Sequence, residues 1–195
     1  SVFNSYVLDF LIRMKITTHL DMHFVYALPV PRLGCGDSLD DVFFTPVLFR
    51  ALRLICTTND YADLWSEVFP QIPESARVTE YSAYGQLDGQ DTRQRLADSA
   101  AALTPEWGPH CGVHDRTADR RDWGDRAQLR AEIDAYVAHL YGLGREDFAY
   151  ILDTFPVLRR KEEKAFGEFM SKRKCLEEYD RLATILPDAE NRGTT

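Results

Sequence analysis

The hydrophobic pattern is clearest between residues 125 and 158, where Leu129, Ile133, Val137 and Leu140 recur at helical spacing until Gly142 interrupts them. Asp125, with Gln128 three residues on, has the spacing of a capping box and predicts the helix start. After Gly144, the acids Glu146 and Asp147 suit the first turn of a second short helix. Pro156 ends that helix after Phe155, because proline lacks an N–H and crowds the preceding turn. The stretch predicts a helical hairpin with one apolar face. Nearer the N-terminus, Val7, Leu8, Leu11 and Ile12 predict a helix within 1–16, capped by Asn4 or Ser5. Leu20, Met22, Phe24 and Tyr26 then alternate and run into Pro29 and Pro31, the pattern of a short strand with an extended exit. A lone strand leaves its backbone groups unpaired, and no strongly alternating partner follows, so the chain reads as the C-terminal piece of something longer.

Residues 34–69 predict a helical pair. One helix runs from Asp40 to Cys56, bent at Pro46, with Leu48, Leu52 and Ile55 inward. The other runs from Tyr61 to Phe69, capped by Thr58 or Asn59, with Tyr61, Leu64, Trp65 and Val68 inward. Prolines, glycines and polar clusters concentrate in 70–124, which predicts a loop-rich connection carrying one helix from Thr92 to Leu103. A final helix turns Cys175, Leu176, Tyr179, Leu182 and Ile185 inward and stops before Pro187. The expected class is mainly α with a short β element near the N-terminus, an α+β fragment ending in a bundle-like helical tail. Its segments are 1–33, 34–69, 70–124 and 125–195.

Composition narrows this picture. The 195 residues are 45% hydrophobic and 12% aromatic, enough for a packed core. No apolar run of about 18 residues and no basic-then-apolar leader is present, so the expectation is a cytoplasmic protein without membrane contact. Cys35, Cys56, Cys111 and Cys175 form no CxxC pair, which suits reduced thiols. A net charge of -8 argues against a protein that coats nucleic acid, since such binding rests on displacing phosphate counterions. Residues 159–174 run against this balance. There Arg159, Arg160, Lys161, Lys164, Lys172, Arg173 and Lys174 face only Glu162, Glu163 and Glu168. If the last helix begins at Ser171, three of these cations sit at the positive end of its dipole. Either it begins nearer Glu162, or those cations face an anion. Conversely, Asp37, Asp40, Asp41, Asp60, Asp63 and Glu67 outnumber Arg50 and Arg53 and make an acidic surface.

Candidate chemistry is sparse. His110, Cys111 and His114 are the one compact group of soft ligands. Zinc needs three or four, and only Cys35 or Asp115 offers closure, so no metal is assigned. Glu162-Glu163-Lys164 has the ExK form of metal-dependent nucleases, but lacks an upstream Pro-Asp pair on a strand and is common in charged helices. His19 and His23, flanking Asp21, have the spacing of an acid–base pair and equally of a strand's polar face. No P-loop, GxGxxG turn, GxSxG elbow or Cys/His nucleophile pair occurs, and no catalytic residue is assigned.

Two longer stretches carry a resemblance. NSYVLDFLIRMKITTHLDMHFVYALPVPRL resembles the segment closing the target-recognition region of large adenine-specific DNA methyltransferases of type IIG restriction–modification and of the BREX and DISARM phage-defence systems. LRAEIDAYVAHLYGLGREDFAYILDTFPVLRRKEEKAFGEF, followed by KRKCLEEYDRL, is similar to their C-terminal tail, and ALRLICTTNDYADLW between them also fits. Thr17 and Thr18 stand where the family turn has glycines, Asp21 where it has asparagine, and Ser171 where it has threonine. The family's Asn/Asp-Pro-Pro-Tyr/Phe motif, which holds the flipped adenine, and its glycine-rich cofactor loop are absent from this chain.

The resemblance therefore implies a non-catalytic fragment with no cofactor of its own, S-adenosylmethionine belonging to the parent protein. It would contribute to target recognition or brace the recognition domain. Its partners would be double-stranded DNA, through the parent, and the catalytic domain of the same polypeptide. Arg13, Lys15, Thr17, Thr18 and His19 match the recognition turn. Arg159, Arg160, Lys161, Lys172, Arg173 and Lys174 suit phosphates more than bases. The alternative is a helical interaction module of a defence complex that never meets DNA, which the acidic surface favours.

Overall fold

The computed structural model describes residues 2–15, 22–30, 40–77, 96–108, 111–113 and 120–186, and no strand occurs among them. The helices are α1 Tyr6–Lys15, α2 Met22–Tyr26, α3 Thr45–Ile55, α4 Ala62–Val68, α5 Glu74–Arg77, α6 Arg120–Leu140, α7 Arg145–Asp153, α8 Pro156–Phe166 and α9 Met170–Ile185. Residues 96–101 are also helical. None of these helices is long and apolar enough to cross a membrane. The chain separates into two compact units, 1–33 with 131–195, and 34–130, so α6 contributes residues to both.

The predicted hairpin is present, but α6 already begins at Arg120, so Asp125 lies inside the helix and is not the cap that the spacing to Gln128 predicts. Gly142 takes a left-handed conformation at φ +65°, which a side chain would strain. This lets the Leu143 N–H reach Ala138 O and the Gly142 N–H reach His139 O, both at 3.0 Å, the paired closure of a Schellman stop. Pro156 does more than end α7: it opens α8, where its missing N–H costs nothing. Helix α8 stops at Gly167, so the basic run is divided between two helices and α9 begins at Met170. Helix α1 forms as expected, with Ser5 as its cap: Ser5 Oγ accepts the Leu8 N–H at 3.3 Å. Helix α7 packs against both α1 and α9, burying Phe148, Ile151 and Leu152.

The expected β element is not formed at 22–26. Those residues make a helical turn, and Met22 and Tyr26, which alternation assigned to a buried face, are exposed. No strand among the described residues offers pairing groups, whereas a helix satisfies its own backbone, as in the Ala27 N–H to His23 O bond. Leu20 and Asp21 lie outside the described residues.

The second unit begins with a π turn, Asp40–Phe44, that passes into α3 where Pro46 cannot donate to the preceding turn. The expected stripe is rotated. Val47, Phe49 and Leu52 are buried with Arg50 and Arg53, while Ile55 is exposed. Of the stripe foreseen on α4, Trp65 is buried and Val68 packs partly buried against the same core, while Tyr61 and Leu64 face outward. Trp65 stacks on Phe69 at 4.9 Å, meets Trp107 edge-on at 6.0 Å and donates its indole N–H to Thr104 O at 3.0 Å. These rings join Phe49, Leu52, Cys56, Ile72 and Cys111 in one core. The predicted helix Thr92–Leu103 is helical over 96–101, its start lying outside the described residues.

Candidate nucleic-acid interface

Of the recognition-turn residues, Arg13 and Lys15 end α1, and Thr17, Thr18 and His19 lie outside the described residues. Arg13 is engaged within its own unit. Its Nη1 donates to Thr154 O at 3.1 Å, its Nη2 to Thr154 Oγ1 at 3.3 Å, and its Nε pairs with Asp9 at 3.0 Å. The guanidinium lies 3.9 Å over the Phe155 ring, which Tyr6 meets edge-on. Arg13 thus holds the joint between α7 and α8 against α1. Lys15 Nζ donates to Ala27 O at 3.1 Å, tying α1 to the end of α2.

The basic run resolves into three groups. Lys174 is buried, at 4% exposure, and cannot present its ammonium to a phosphate in this conformation. Lys172, Arg173 and Arg159 are partly or fully exposed but paired. Lys172 meets Asp153 at 2.6 Å, Arg173 meets both Glu168 (2.8 Å) and Glu177 (3.0 Å), and Arg159 meets Glu163 at 2.7 Å. The Arg173 hydrogen bonds hold the Glu168 carboxyl below its ordinary range and push the guanidinium further up. Arg160, whose Nε donates to Pro156 O, and Lys161 and Lys164 carry no ion pair among the described residues and are exposed.

The start of α9 also answers the dipole question. The anion at its positive end is Glu162, buried on α8. Its carboxylate accepts the Ser171 N–H at 2.8 Å and the Ser171 hydroxyl as well. It therefore does from outside the helix what a capping side chain does from within. Around it lies a polar core that sequence pattern did not foresee: Glu132, Asp134, Glu178 and Arg181 are all buried alongside Lys174. Asp134 Oδ1 accepts the Tyr6 N–H at 2.7 Å, and Arg181 Nε donates to Glu178 at 2.7 Å. Burial, reinforced by neighbouring carboxylates, pushes the Tyr6 phenol and the Cys175 thiol well up, so both stay neutral. Charged residues ordinarily mark an exposed helix face, which is why these were not expected inside. The one available signal was the predominance of apolar positions along 131–139, where Glu132 and Asp134 are the only acids, which leaves α6 without a polar side to turn outward.

Elsewhere, Cys111 is buried in the second unit's core, and His110 and His114 lie outside the described residues, as do Cys35 and Asp115. No group of three or more His, Cys, Asp or Glu is placed to hold a metal among the described residues. His23 ends up exposed on α2, while His19 and Asp21 are not described, and Glu162 of the ExK triplet is the buried cap just noted. In the second unit, Asp60, Asp63, Glu67 and Glu74 are exposed and make no ion pair among the described residues; Asp37 is not described. No protein-family model, no curated protein and no solved structure matches the chain.

Proposed function

We propose that this chain is a non-catalytic C-terminal region of an adenine-specific DNA methyltransferase of restriction–modification or phage defence. In this role it acts in the cytoplasm and braces the recognition domain against the catalytic domain of the same polypeptide. The two stretches resembling that family, in the order the family has them, support the assignment. The bracing role is carried by one observation: Arg13, Lys172, Arg173 and Arg159 spend their hydrogen bonds and charges on the chain's own carbonyls and carboxylates, and Lys174 is buried, so none of them lies on an open anion-binding face. Cations committed this way give little of the counterion release that drives DNA binding. Within the basic run 159–174, any direct phosphate contact falls to Arg160, Lys161 and Lys164.

Duplex-DNA binding measured from about 50 to about 200 mM salt tests the role. The bracing role expects negligible binding at the lowest salt, and no change in a variant carrying Arg160→Glu, Lys161→Glu and Lys164→Glu. Binding that falls steeply with salt and vanishes in that variant would make the tail a DNA clamp. The assignment to the family is tested separately, by mapping N6-methyladenine in cells with and without this region of the parent gene; unchanged methylation sinks it.

A second reading, a helical module that binds a protein partner and never meets DNA, is favoured by the unpaired surface acids Asp60, Asp63, Glu67 and Glu74, which repel phosphate. The two readings separate in the methylation map, since a pure partner-binding module leaves the modified sites intact.

A further inference from the structure

The second unit brings together two thiols that stand 55 positions apart in the chain, Cys56 at the end of α3 and Cys111 in the short segment 111–113. Both are buried in the same core, with Trp65, Phe69 and Ile72 around them, and both are reduced. The backbones approach very closely. The Val113 N–H donates to Arg53 O at 3.1 Å, and a Cβ added at Gly112 would lie 1.7 Å from the Cys56 carbonyl oxygen and 2.9 Å from Thr57 Cα. Only glycine allows the segment to lie so tightly on the helix end. Cys111 Sγ accepts the Gly108 N–H at 3.1 Å, so the thiol is held in place inside the core.

We propose that Cys56 and Cys111 are a redox-responsive pair, which an oxidised low-molecular-weight thiol such as glutathione disulfide converts into an intramolecular disulfide that locks segment 111–113 onto the end of α3. In the first step the Cys111 thiolate attacks one sulfur of glutathione disulfide. A mixed disulfide forms and one glutathione leaves as thiolate. The Cys56 thiolate then attacks the Cys111 sulfur and displaces the second glutathione. Two protein thiols have lost two protons and two electrons; one disulfide has been reduced to two glutathiones.

Burial sets the rate of this exchange. It pushes the Cys56 thiol up to about 11, with Cys111 as a lesser contributor, and raises Cys111 as well. The pair is therefore slow to react at neutral pH and depends on local opening of 111–113. This is the behaviour of a latch that ignores brief oxidation and closes under sustained oxidation.

The whole chain is equilibrated in a glutathione redox buffer, alkylated and digested, and its disulfides are assigned by mass spectrometry. The pairing expects a peptide joining residues 56 and 111 in most molecules, and an intact mass lower by two hydrogens. Its rate of formation should rise about tenfold per pH unit from about pH 7 to about pH 9. In Cys56→Ser or Cys111→Ser the crosslink is replaced by a single glutathione adduct on the remaining thiol. Free thiols at both positions at equilibrium, separate adducts on each in the unaltered chain, or a bond from either to Cys35 would overturn it.

Discussion

The two units handle charge with different emphasis, although the first also spends cations on backbone carbonyls, as Arg13 does on Thr154 O. In the first, carboxylates answer cations: Glu162 and Asp134 cap backbone N–H groups from within the core, Glu178 holds Arg181, and Asp153, Glu168 and Glu177 hold the exposed cations. In the second, arginines reach backbone carbonyls: Arg50 to Pro46 O, Arg53 to Leu96 O, Arg77 to Phe69 O and Ile72 O, Arg126 to Leu54 O and Val113 O. The carboxylates satisfy N–H groups at the starts of α1 and α9, and the arginines satisfy carbonyls that include Leu54 O at the end of α3. The units differ in what remains outside. Among the described residues, the first unit presents a surface of mostly paired charge, while in the second Asp60, Asp63, Glu67 and Glu74 are exposed without an ion pair. A brace needs the former and a docking face suits the latter, so the two units need not share a task.

The largest expected effect tests whether buried charge or apolar packing carries each unit. Glu178→Ala leaves Arg181 without its carboxylate in a fully buried site and should destabilise by about 3–5 kcal/mol in urea unfolding. The double replacement Glu178→Leu with Arg181→Met should recover most of that loss, because a well-packed apolar pair avoids desolvating two ions. Recovery would mean that the pair fixes helix register rather than stability. No recovery would mean that the wider network, Lys174 included, depends on those charges. In the second unit Trp65→Ala should cost a comparable amount, about 3–5 kcal/mol, mostly through lost packing, with the indole hydrogen bond to Thr104 O lost as well. Hydrogen exchange should then speed in α3 and α4, and less in α7 and α9. Loss of protection in all four alike would break the two-unit picture.

How much of this was legible follows the same division. Helix stops at Gly142 and Pro156 and the cap at Ser5 are decided by backbone chemistry within a few residues, and sequence shows them directly. The inward faces of α3 and α4 are decided by what packs from far along the chain, such as Trp107 on Trp65 and the Leu96 carbonyl and Ser99 hydroxyl on Arg53. A stripe of aliphatic residues cannot report those partners. The basic run was legible as a run but not as a site, because its partners Asp153 and Glu177 lie outside it, and Glu162 and Glu168 within it look like dilution rather than pairing. The alternation misled over 22–26 for a simpler reason: a strand needs a neighbour, and a helical turn does not.

A smaller effect sharpens the role of Glu162. Glu162→Ala removes the acceptor for the Ser171 N–H at the start of α9 and should cost about 1–2 kcal/mol, in the range of a lost N-cap. Ser171→Asp supplies an acid on the helix itself and should not rescue it, since the new carboxylate would enter a core that already holds Asp134 and Glu178. Rescue, read as a restored urea midpoint, would show that the first turn of α9 is more open than its burial indicates.

Acid should act on the first unit through Arg173. The Glu168 carboxyl is depressed by the Arg173 hydrogen bonds, so its folded value lies below the unfolded one. Its stabilisation is therefore fully present above the unfolded carboxylate value of about 4.3 and is lost as pH falls through the folded value. Because the Glu168 side chain is 42% exposed, the contribution should be small, about a few tenths of a kcal/mol. Arg173→Gln should flatten the stability profile across that acid window and leave it unchanged near neutrality apart from a constant offset. A profile that keeps its slope would assign the acid response to the buried carboxylates instead.

The smallest effect is the most useful control. Arg159 and Glu163 form a short ion pair four residues apart on α8, both largely exposed, and screening by water leaves such pairs with little net worth. Replacing both by alanine should leave the urea midpoint where it was, even though the hydrogen bond is as short as the buried one between Arg181 and Glu178. Identical geometry with opposite consequence is what burial alone dictates: the exposed partners regain water when separated, and the buried ones do not. If the Arg159–Glu163 variant loses as much stability as Glu178→Ala, then α8 is not a solvated face in solution. In that case its cations, Arg160 and Lys161 among them, sit against something the chain itself does not supply.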